Sequence, residues 1–335
     1  MYSKIEFLTN DLNYINEVNQ FIKDWFSDKD YIISKTSGST GIPKEIKLKK
    51  EYLRASARMT GNFFKFNKND TLLLSLPIFG IGGKMIIIRA IEFSCKLIVV
   101  SPHYNPFKNL KDVKIKIASL VPYQVNKILE EDINTFTNVE HLLIGGAPIN
   151  ENLRYRLKKI SSNSYETFGM TETYSHIALK NIKKNNFFEL LENIKIKTEN
   201  DCLVVDAPYL GVEDLITNDI VNIIDEYRFT WIGRKDFIIN TGGIKLHPEQ
   251  IENKIQGCLT QSYFVSKEID INFGEIVILI IEGDAIAESK IREMISNKLS
   301  TYEMPKKIHF IHEFVYTNTH KINRIETLKK RFSIE

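Results

Sequence analysis

The residues best equipped for chemistry lie early in the chain, in Thr36-Ser37-Gly38-Ser39-Thr40-Gly41-Ile42-Pro43-Lys44. The flanking runs DYIIS and EIKLK read as strands, so the segment between them is a loop offering backbone N–H groups, several hydroxyls and one ammonium. Polyphosphate oxygens accept from these donors. The competing reading is a Ser/Gly hairpin turn that binds nothing. The loop is not the G-x-x-x-x-G-K-[ST] type, because Ile42 and Pro43 separate Lys44 from Gly41 and a strand follows in place of a helix.

Further segments carry matching chemistry. Gly145-Gly146-Ala147-Pro148 follows the strand-like HLLI, and glycines let a flat base approach the backbone, although GGAP alone is only a turn. Phe168-Gly169-Met170-Thr171-Glu172-Thr173 holds a carboxylate suited, beside phosphates, to a hard divalent cation; taken alone it reads as a helix N-terminus capped by Thr171 or Thr173. In Thr217-Asn218-Asp219 a carboxylate can accept from both hydroxyls of a diol, with a surface turn as the alternative. A long run from Trp231 to Glu249 contains Gly233-Arg234-Lys235-Asp236 and Gly242-Gly243, and Thr317 to Arg324 contains Lys321, whose alternative is an exposed basic tail.

In this order the segments resemble the adenylate-forming superfamily of acyl-CoA ligases, peptide-synthetase adenylation domains and luciferases. The resemblance implies that Thr36, Ser37, Gly38, Ser39, Thr40, Gly41 and Lys44 hold the phosphates of ATP, and that Gly145, Gly146 and Ala147 form part of the adenine pocket. It implies that Phe168 packs on adenine ahead of Gly169 and Met170, that Thr171 lies near the α-phosphate, and that Glu172 is the Mg2+ ligand. Asp219 and Arg234 are then ribose contacts, Asp236 the hinge between domains, and Gly242 and Gly243 the lining of the thiol channel. Lys321 is implied to bridge the substrate carboxylate and the α-phosphate, neutralising charge as two anions meet. The implied reaction joins a carboxylic acid to AMP with loss of pyrophosphate, then passes the acyl group to coenzyme A. Three positions depart from the pattern. Asn218 replaces Gly, a change that the left-handed tendency of Asn tolerates, while His320 replaces Gly and Tyr316 replaces a frequent Pro. His247 reads as an ordinary polar residue of its loop.

For the acid, Ser175-His176-Ile177-Ala178-Leu179 and Gly82-Gly83-Lys84-Met85 with Arg89 resemble the o-succinylbenzoate–CoA ligase branch, which serves menaquinone biosynthesis. Such a substrate keeps a second carboxylate that Lys84, Arg89 or His176 could meet. Equally, Lys84 and Arg89 could be the polar face of the helix GKMIIIRAIEF, and His176 a satisfied polar group. Three other functions stay open: another acyl- or aryl-CoA ligase, an adenylation enzyme loading a carrier protein, and an inactive nucleotide-binding relative. The last fits poorly with Glu172 and Lys321 together, because binding alone requires neither.

The elements that position these residues read as α/β. From Thr71 short β-rich runs alternate with amphipathic stretches, predicting a mixed sheet with covering helices. After Tyr165 the runs FFELL, IKIKT, CLVVD, EDLIT, VNIID and RFTWI predict a smaller β-rich subdomain following the α/β core, and past Gly233 a small α+β domain begins. The expected division is a large N-terminal domain over 1–235, with a shortened segment before the phosphate loop, and a mobile C-terminal domain over 236–335. With 335 residues the chain can bury two cores.

Lys+Arg 45 against Asp+Glu 42 leaves +3, scattered along the chain, which gives no nucleic-acid footprint. Cys95, Cys202 and Cys258 are odd in number and widely spaced, so they read as small hydrophobes in a reducing compartment. The polar start and the lack of a long apolar run predict a cytoplasmic protein without a membrane span. A homodimer is open, should the short N-terminus bare an apolar face.

Overall fold

The computed structural model describes residues 2–35, 45–108, 110, 112–317 and 321–332. The phosphate-loop candidates Thr36, Ser37, Gly38, Ser39, Thr40, Gly41 and Lys44, and the substituted position His320, lie outside the described residues.

In chain order the first part contains β1 (Ile5–Phe7), α1 (Leu12–Trp25), β2 (Tyr31–Lys35), β3 (Glu45–Lys49), α2 (Lys50–Phe63), β4 (Thr71–Leu74), α3 (Ile81–Glu92) and β5 (Lys96–Val99). There follow β6 (Ile115–Leu120), α4 (Pro122–Glu131), β7 (Val139–Ile144), α5 (Glu151–Leu157), β8 (Asn163–Met170), β9 (Ser175–Asn181) and β10 (Phe188–Leu190). The strands β11 (Lys195–Glu199), β12 (Cys202–Ala207), β13 (Val212–Asp225) and β14 (Arg228–Arg234) complete it. Among the described residues these strands, apart from the β2–β3 hairpin, form one 12-stranded sheet in the order β1-β5-β4-β6-β7-β8-β9-β10-β14-β13-β12-β11. Pairing is parallel from β1 to β8 and antiparallel beyond.

Period-two burial explains how helices cover both faces of the parallel part. Leu72 and Leu74 face one cluster, shared with Val18 of α1, Leu53 of α2 and Ile86 of α3. Leu73 faces the other, shared with Val125 of α4 and Leu153 of α5. Strands buried on both faces read as continuous apolar runs, and TLLL is one. Helix α1 shows the complementary rule. Asp11 caps it by accepting from Tyr14 N–H at 3.1 Å, and Tyr14, Val18, Phe21, Ile22 and Trp25 recur at helical spacing on its buried stripe.

The β-rich part that follows the α/β core is built from β9 to β14, which extend the same sheet. EDLIT and VNIID are likewise one strand, β13, without a turn between them. No Gly or Pro interrupts this stretch, and the chain runs on as one strand past the positive φ of 44° at Asp214. Thr217-Asn218-Asp219 therefore sits within a strand and not on a surface turn, and Asn218 is not among the described residues with positive φ.

Between Arg234 and Ile239 the chain leaves this sheet through a single helical turn, Lys235–Phe237. The second sheet contains β15 (Ile239–Thr241), β16 (Ile244–Leu246), β17 (Tyr263–Asp270), β18 (Gly274–Glu282) and β19 (Lys307–Ile311), with α6 (Pro248–Lys254), α7 (Glu288–Ser296) and α8 (Arg324–Phe332) around it. Val277, Leu279 and Ile281 of β18 pack with α6 and α7, while Ile276, Ile278 and Ile280 pack on the face that carries Phe314 and Leu328. The two families of contacts make a small α+β unit around β18. Cys95 and Cys202 are buried and Cys258 half-buried, all as free thiols. Among the described residues no helix is long and apolar enough to cross a membrane.

Candidate active site

Two sequence motifs meet at the carboxyl ends of neighbouring parallel strands. Strand β7 runs out at Ile144 into Gly145-Gly146, and β8, paired with it, ends in Phe168-Gly169-Met170. The motifs touch: a Cβ on Gly145 would come 2.4 Å from Thr167 Oγ1. Gly146 adopts φ +86°, which turns the chain away and leaves it exposed. Carboxyl ends of parallel strands are where open α/β sheets hold ligands.

Thr171-Glu172-Thr173-Tyr174 is the tight turn joining β8 to β9, and not the start of a helix. Thr173 fastens it, since its Oγ1 accepts from Met170 N–H at 3.0 Å and donates to the Ser175 carbonyl at 2.8 Å. Tyr174 takes the left-handed φ of 62°, a strained choice for an aromatic residue, with its ring edge-on to Tyr52 at 5.4 Å. Thr171 is buried, whereas Glu172 is exposed and carries no hydrogen bond or ion pair among the described residues. A carboxylate so presented fits a hard divalent cation that also has phosphate ligands. Phe168 is half-buried, its ring packed against Phe229 at 5.1 Å and Phe188 at 5.6 Å. At Gly169 a Cβ would meet the Ser175 carbonyl oxygen at 2.2 Å and His176 Cα at 2.5 Å, both backbone atoms of the paired strand. Gly169→Ala is accordingly expected to destabilise the fold by about 1–3 kcal/mol, the cost of overpacking, read as a lower urea midpoint at unchanged slope.

Directly beyond this turn lies a group of buried cationic residues. Arg89, on α3, is 2% exposed, donates from Nη2 to Ser175 Oγ at 2.8 Å, and leaves its Nε without a partner. No carboxylate pairs with it among the described residues, and burial pushes its pKa down to about 9. His176, beside Ser175, is 7% exposed and meets Thr60 Oγ1 of α2 at 3.1 Å. Burial, with Arg89 adding to it, holds the imidazole well below its ordinary value of 6.5. Lys84 is buried too, but its ammonium is spent on the Ile78 and Phe79 carbonyls at 2.6 and 2.8 Å. It pins the loop before α3, and burial lowers its pKa to about 8. Neither Lys84 nor Arg89 forms an exposed polar helix face, because both point inward from a helix covered on almost all sides.

His176 gives a pH prediction. A depressed folded-state pKa means that its contribution is complete above 6.5 and is lost as pH falls towards the folded value. The wild-type Tm should therefore drop on acidification from pH 7 to 5 more steeply than that of His176→Gln. Parallel Tm curves for the two proteins would contradict the neutral, buried state.

A third group sits at the end of β14. Asp219 of β13 pairs in register with Arg234, accepts from Trp231 Nε1 at 2.9 Å through Oδ1, and holds Oδ2 4.0 Å from the Arg234 guanidinium. Arg234 reaches on to Asp236 at 2.7 Å, and Asn218 meets the same carboxylate oxygen at 3.4 Å. Lys321 belongs here. Its loop is closed at the base by Thr317 N–H donating to the Lys321 carbonyl at 2.8 Å and Lys321 N–H donating to Thr317 Oγ1 at 3.1 Å. The residue is exposed. Burial, then Arg324 and Arg234, push its pKa below the lysine value of 10.5, while Asp219 and Glu249 pull it upward.

Arg324 donates to Glu252 at 2.8 Å and lies over the Phe237 ring at 5.0 Å, tying α8 to α6 and to the turn between the sheets. Burial, opposed chiefly by Arg324, raises Glu252 to about 7. Gly242 and Gly243, with φ +55° and +84°, form the two-residue turn between β15 and β16. Consecutive positive φ values are what such a hairpin requires.

The structure thus gathers Gly145, Gly146, Phe168 to Glu172, Arg89 and His176 around the ends of β7 and β8, and Asp219, Arg234, Asp236 and Lys321 around the end of β14. The C-terminal segment touches both, through Gln256, which accepts from Glu151 N–H just after the Gly145–Asn150 loop, and through Glu249 at Gly233. Ala147 lies half-buried in that loop. Sequence reasoning missed Ser175 as the partner of Arg89, Thr60 as the partner of His176, and Glu249. Only the burial of their neighbours reveals them.

The sequence profile of the AMP-binding enzyme family matches residues 11–207. A 2-succinylbenzoate–CoA ligase from Staphylococcus epidermidis is 28% identical over 320 residues, covering 86% of this chain and 67% of the relative. An acyl-CoA synthetase (AMP-forming)/AMP-acid ligase II-like protein from Dyadobacter fermentans is 30% identical, with 96% and 95% of the two chains covered and a TM-score of 0.63. O-succinylbenzoate coenzyme A synthetase from Bacillus subtilis, solved with ATP and magnesium ion, superposes with a TM-score of 0.76 at 19% identity, over 88% of this chain and 69% of that one.

Proposed function

This chain belongs to the AMP-binding enzyme family, and from that membership we propose that it is an ATP-dependent acid:CoA ligase acting on o-succinylbenzoate. The observation that supports the reading is the Asp219–Arg234 pair at the end of β14, with Oδ2 4.0 Å from the guanidinium and Lys321 within its electrostatic reach. A pair suited to a ribose with a lysine nearby fits a place where a carboxylate and a nucleotide phosphate would meet.

In the first half-reaction a carboxylate oxygen bonds to the α-phosphorus of ATP, the bond to the β-phosphate breaks, and pyrophosphate leaves. Asp219 and Arg234 hold the ribose, Gly145, Gly146, Ala147 and Phe168 the base, and Thr171 and Lys321 face the developing negative charge. Glu172 would hold Mg2+, which supplies charge neutralisation on the phosphates. In the second half-reaction the thiol sulfur bonds to the acyl carbon and AMP departs. No protein nucleophile is required, since orientation of bound reactants alone is worth ~7–11 kcal/mol. Between the two steps the segment after Asp236 rotates, withdrawing Lys321 and bringing Gly242 and Gly243 towards the thiol, with 1–235 and 236–335 as the two bodies.

Arg89 supports the choice of acid. A guanidinium 2% exposed without a counter-ion is costly unless an anion joins it, and a second carboxylate on the substrate is such an anion. Neutral His176 can share that carboxylate by hydrogen bonding, whereas the occupied ammonium of Lys84 serves the loop. The test is pyrophosphate release from MgATP across o-succinylbenzoate, fatty and aryl acids, each with and without CoA. Selective turnover of o-succinylbenzoate with thioester formation is expected. Turnover of a monocarboxylic acid alone would overturn the substrate assignment, and thioester formation only on a carrier protein would overturn CoA as acceptor.

A further inference from the structure

Glu249 lies at the second position of α6, is 6% exposed, and crosses from the second sheet's surroundings to the first. A Cβ on Gly233 of β14 would come 2.6 Å from Glu249 Oε2 and 3.7 Å from His247 Cβ, so the carboxylate fills the space that glycine leaves. Oε2 has no hydrogen-bond partner, and two further buried polar atoms at the same junction, Arg234 Nε and His247 Nδ1, have none either. The groups facing the carboxylate are the backbone N–H of Arg234, its own N–H, and the guanidiniums of Arg234 and Arg324. Glu249 raises the pKa of Lys321, and Glu252, one turn along α6, is taken by Arg324.

A permanent interface pairs its buried donors and acceptors, because each orphan costs a desolvation penalty. Three orphans gathered where two sheets meet mark a contact that is made and unmade. Resting on the ligase reading above, we infer that Glu249 is a positioning residue, a latch that seats the start of α6 on Gly233–Arg234 and so keeps Lys321 turned towards Asp219 for the first half-reaction. Releasing the latch lets the second proceed.

The test compares the full-length wild type with Glu249→Ala and Glu249→Gln in two separate assays: pyrophosphate release without CoA, and thioester formation from supplied acyl-adenylate. The alanine variant should lose about tenfold in the first and keep the second at or above the wild-type rate, as expected for removing one charge-assisted contact. The glutamine variant should fall between, because it keeps the side chain that fills the space beside Gly233 and loses only the charge. Equal losses in both assays, or none in either, would overturn the latch. Hydrogen exchange of the backbone amides of residues 233–238 provides a readout that needs no turnover. Faster exchange in Glu249→Ala supports the latch and unchanged exchange rejects it, even if no acid proves to be a substrate and the ligase reading fails.

Discussion

Replacing Lys321 with alanine is expected to lower acyl-adenylate formation by about 10²–10³-fold, the range seen when one preorganised group facing transition-state charge is removed. Thioester formation from a supplied acyl-adenylate should survive, because the lysine has left the reacting atoms by then. The asymmetry follows from the proposed rotation, which would take Lys321 out of the electrostatic reach of Asp219 and Glu249 before the second half-reaction. There is a pH counterpart. The ammonium is the useful form, and burial together with Arg324 and Arg234 lowers its pKa from 10.5, so the alkaline fall in the adenylation rate should begin below that value. Lys321→Arg should shift the fall to higher pH if it retains any rate. Loss of both half-reactions in Lys321→Ala would defeat the alternation of the two bodies.

The second large effect concerns Arg89. Arg89→Met keeps the length and apolar volume of the side chain while removing a buried charge whose Nη2 donates to Ser175 Oγ at 2.8 Å. Two consequences oppose each other. The apparent KM for a dicarboxylic acid should rise about 100-fold, equivalent to ~2.7 kcal/mol, within the range for breaking a buried charge pair. The free protein should become more stable, because an uncompensated cation has left the interior. Arg89→Lys should recover little, since a point charge cannot offer the guanidinium fork. A variant that loses stability and handles mono- and dicarboxylic acids alike would mean that Arg89 is a packing residue.

Much of this arrangement was legible in the sequence, and the limits have physical causes. TLLL, KLIVV and HLLIG declare themselves as strands because both faces are buried, and DYIIS and EIKLK form the two expected strands, paired as β2–β3. The β-rich stretch after Tyr165 was legible as strands but not as a continuation of the first sheet. Period-two patterning fixes which side chains point inward and says nothing about which strand lies alongside. A surface turn was the alternative for Asp219 because its motif usually contains Gly; with Asn218 in that place the motif lies within strand β13. Arg89 and Lys84 look alike in the sequence as cations on one helix, yet one is uncompensated and the other holds two carbonyls. That difference arises from α2, the loop before α3 and the start of β9, which converge only in the folded chain. Glu249 was hidden for the same reason, since its neighbour across the junction is a glycine sixteen positions earlier.

The central claim is a two-step ligase with a free acyl-adenylate between the steps. A single-turnover experiment with enzyme in excess over o-succinylbenzoate, MgATP present and CoA withheld, tests it most directly. Acid quench should recover acyl-adenylate and pyrophosphate in equal amounts, and a later addition of CoA should convert the adenylate to thioester with release of AMP. Bound ATP returned intact, or ADP and phosphate in place of pyrophosphate, would contradict it.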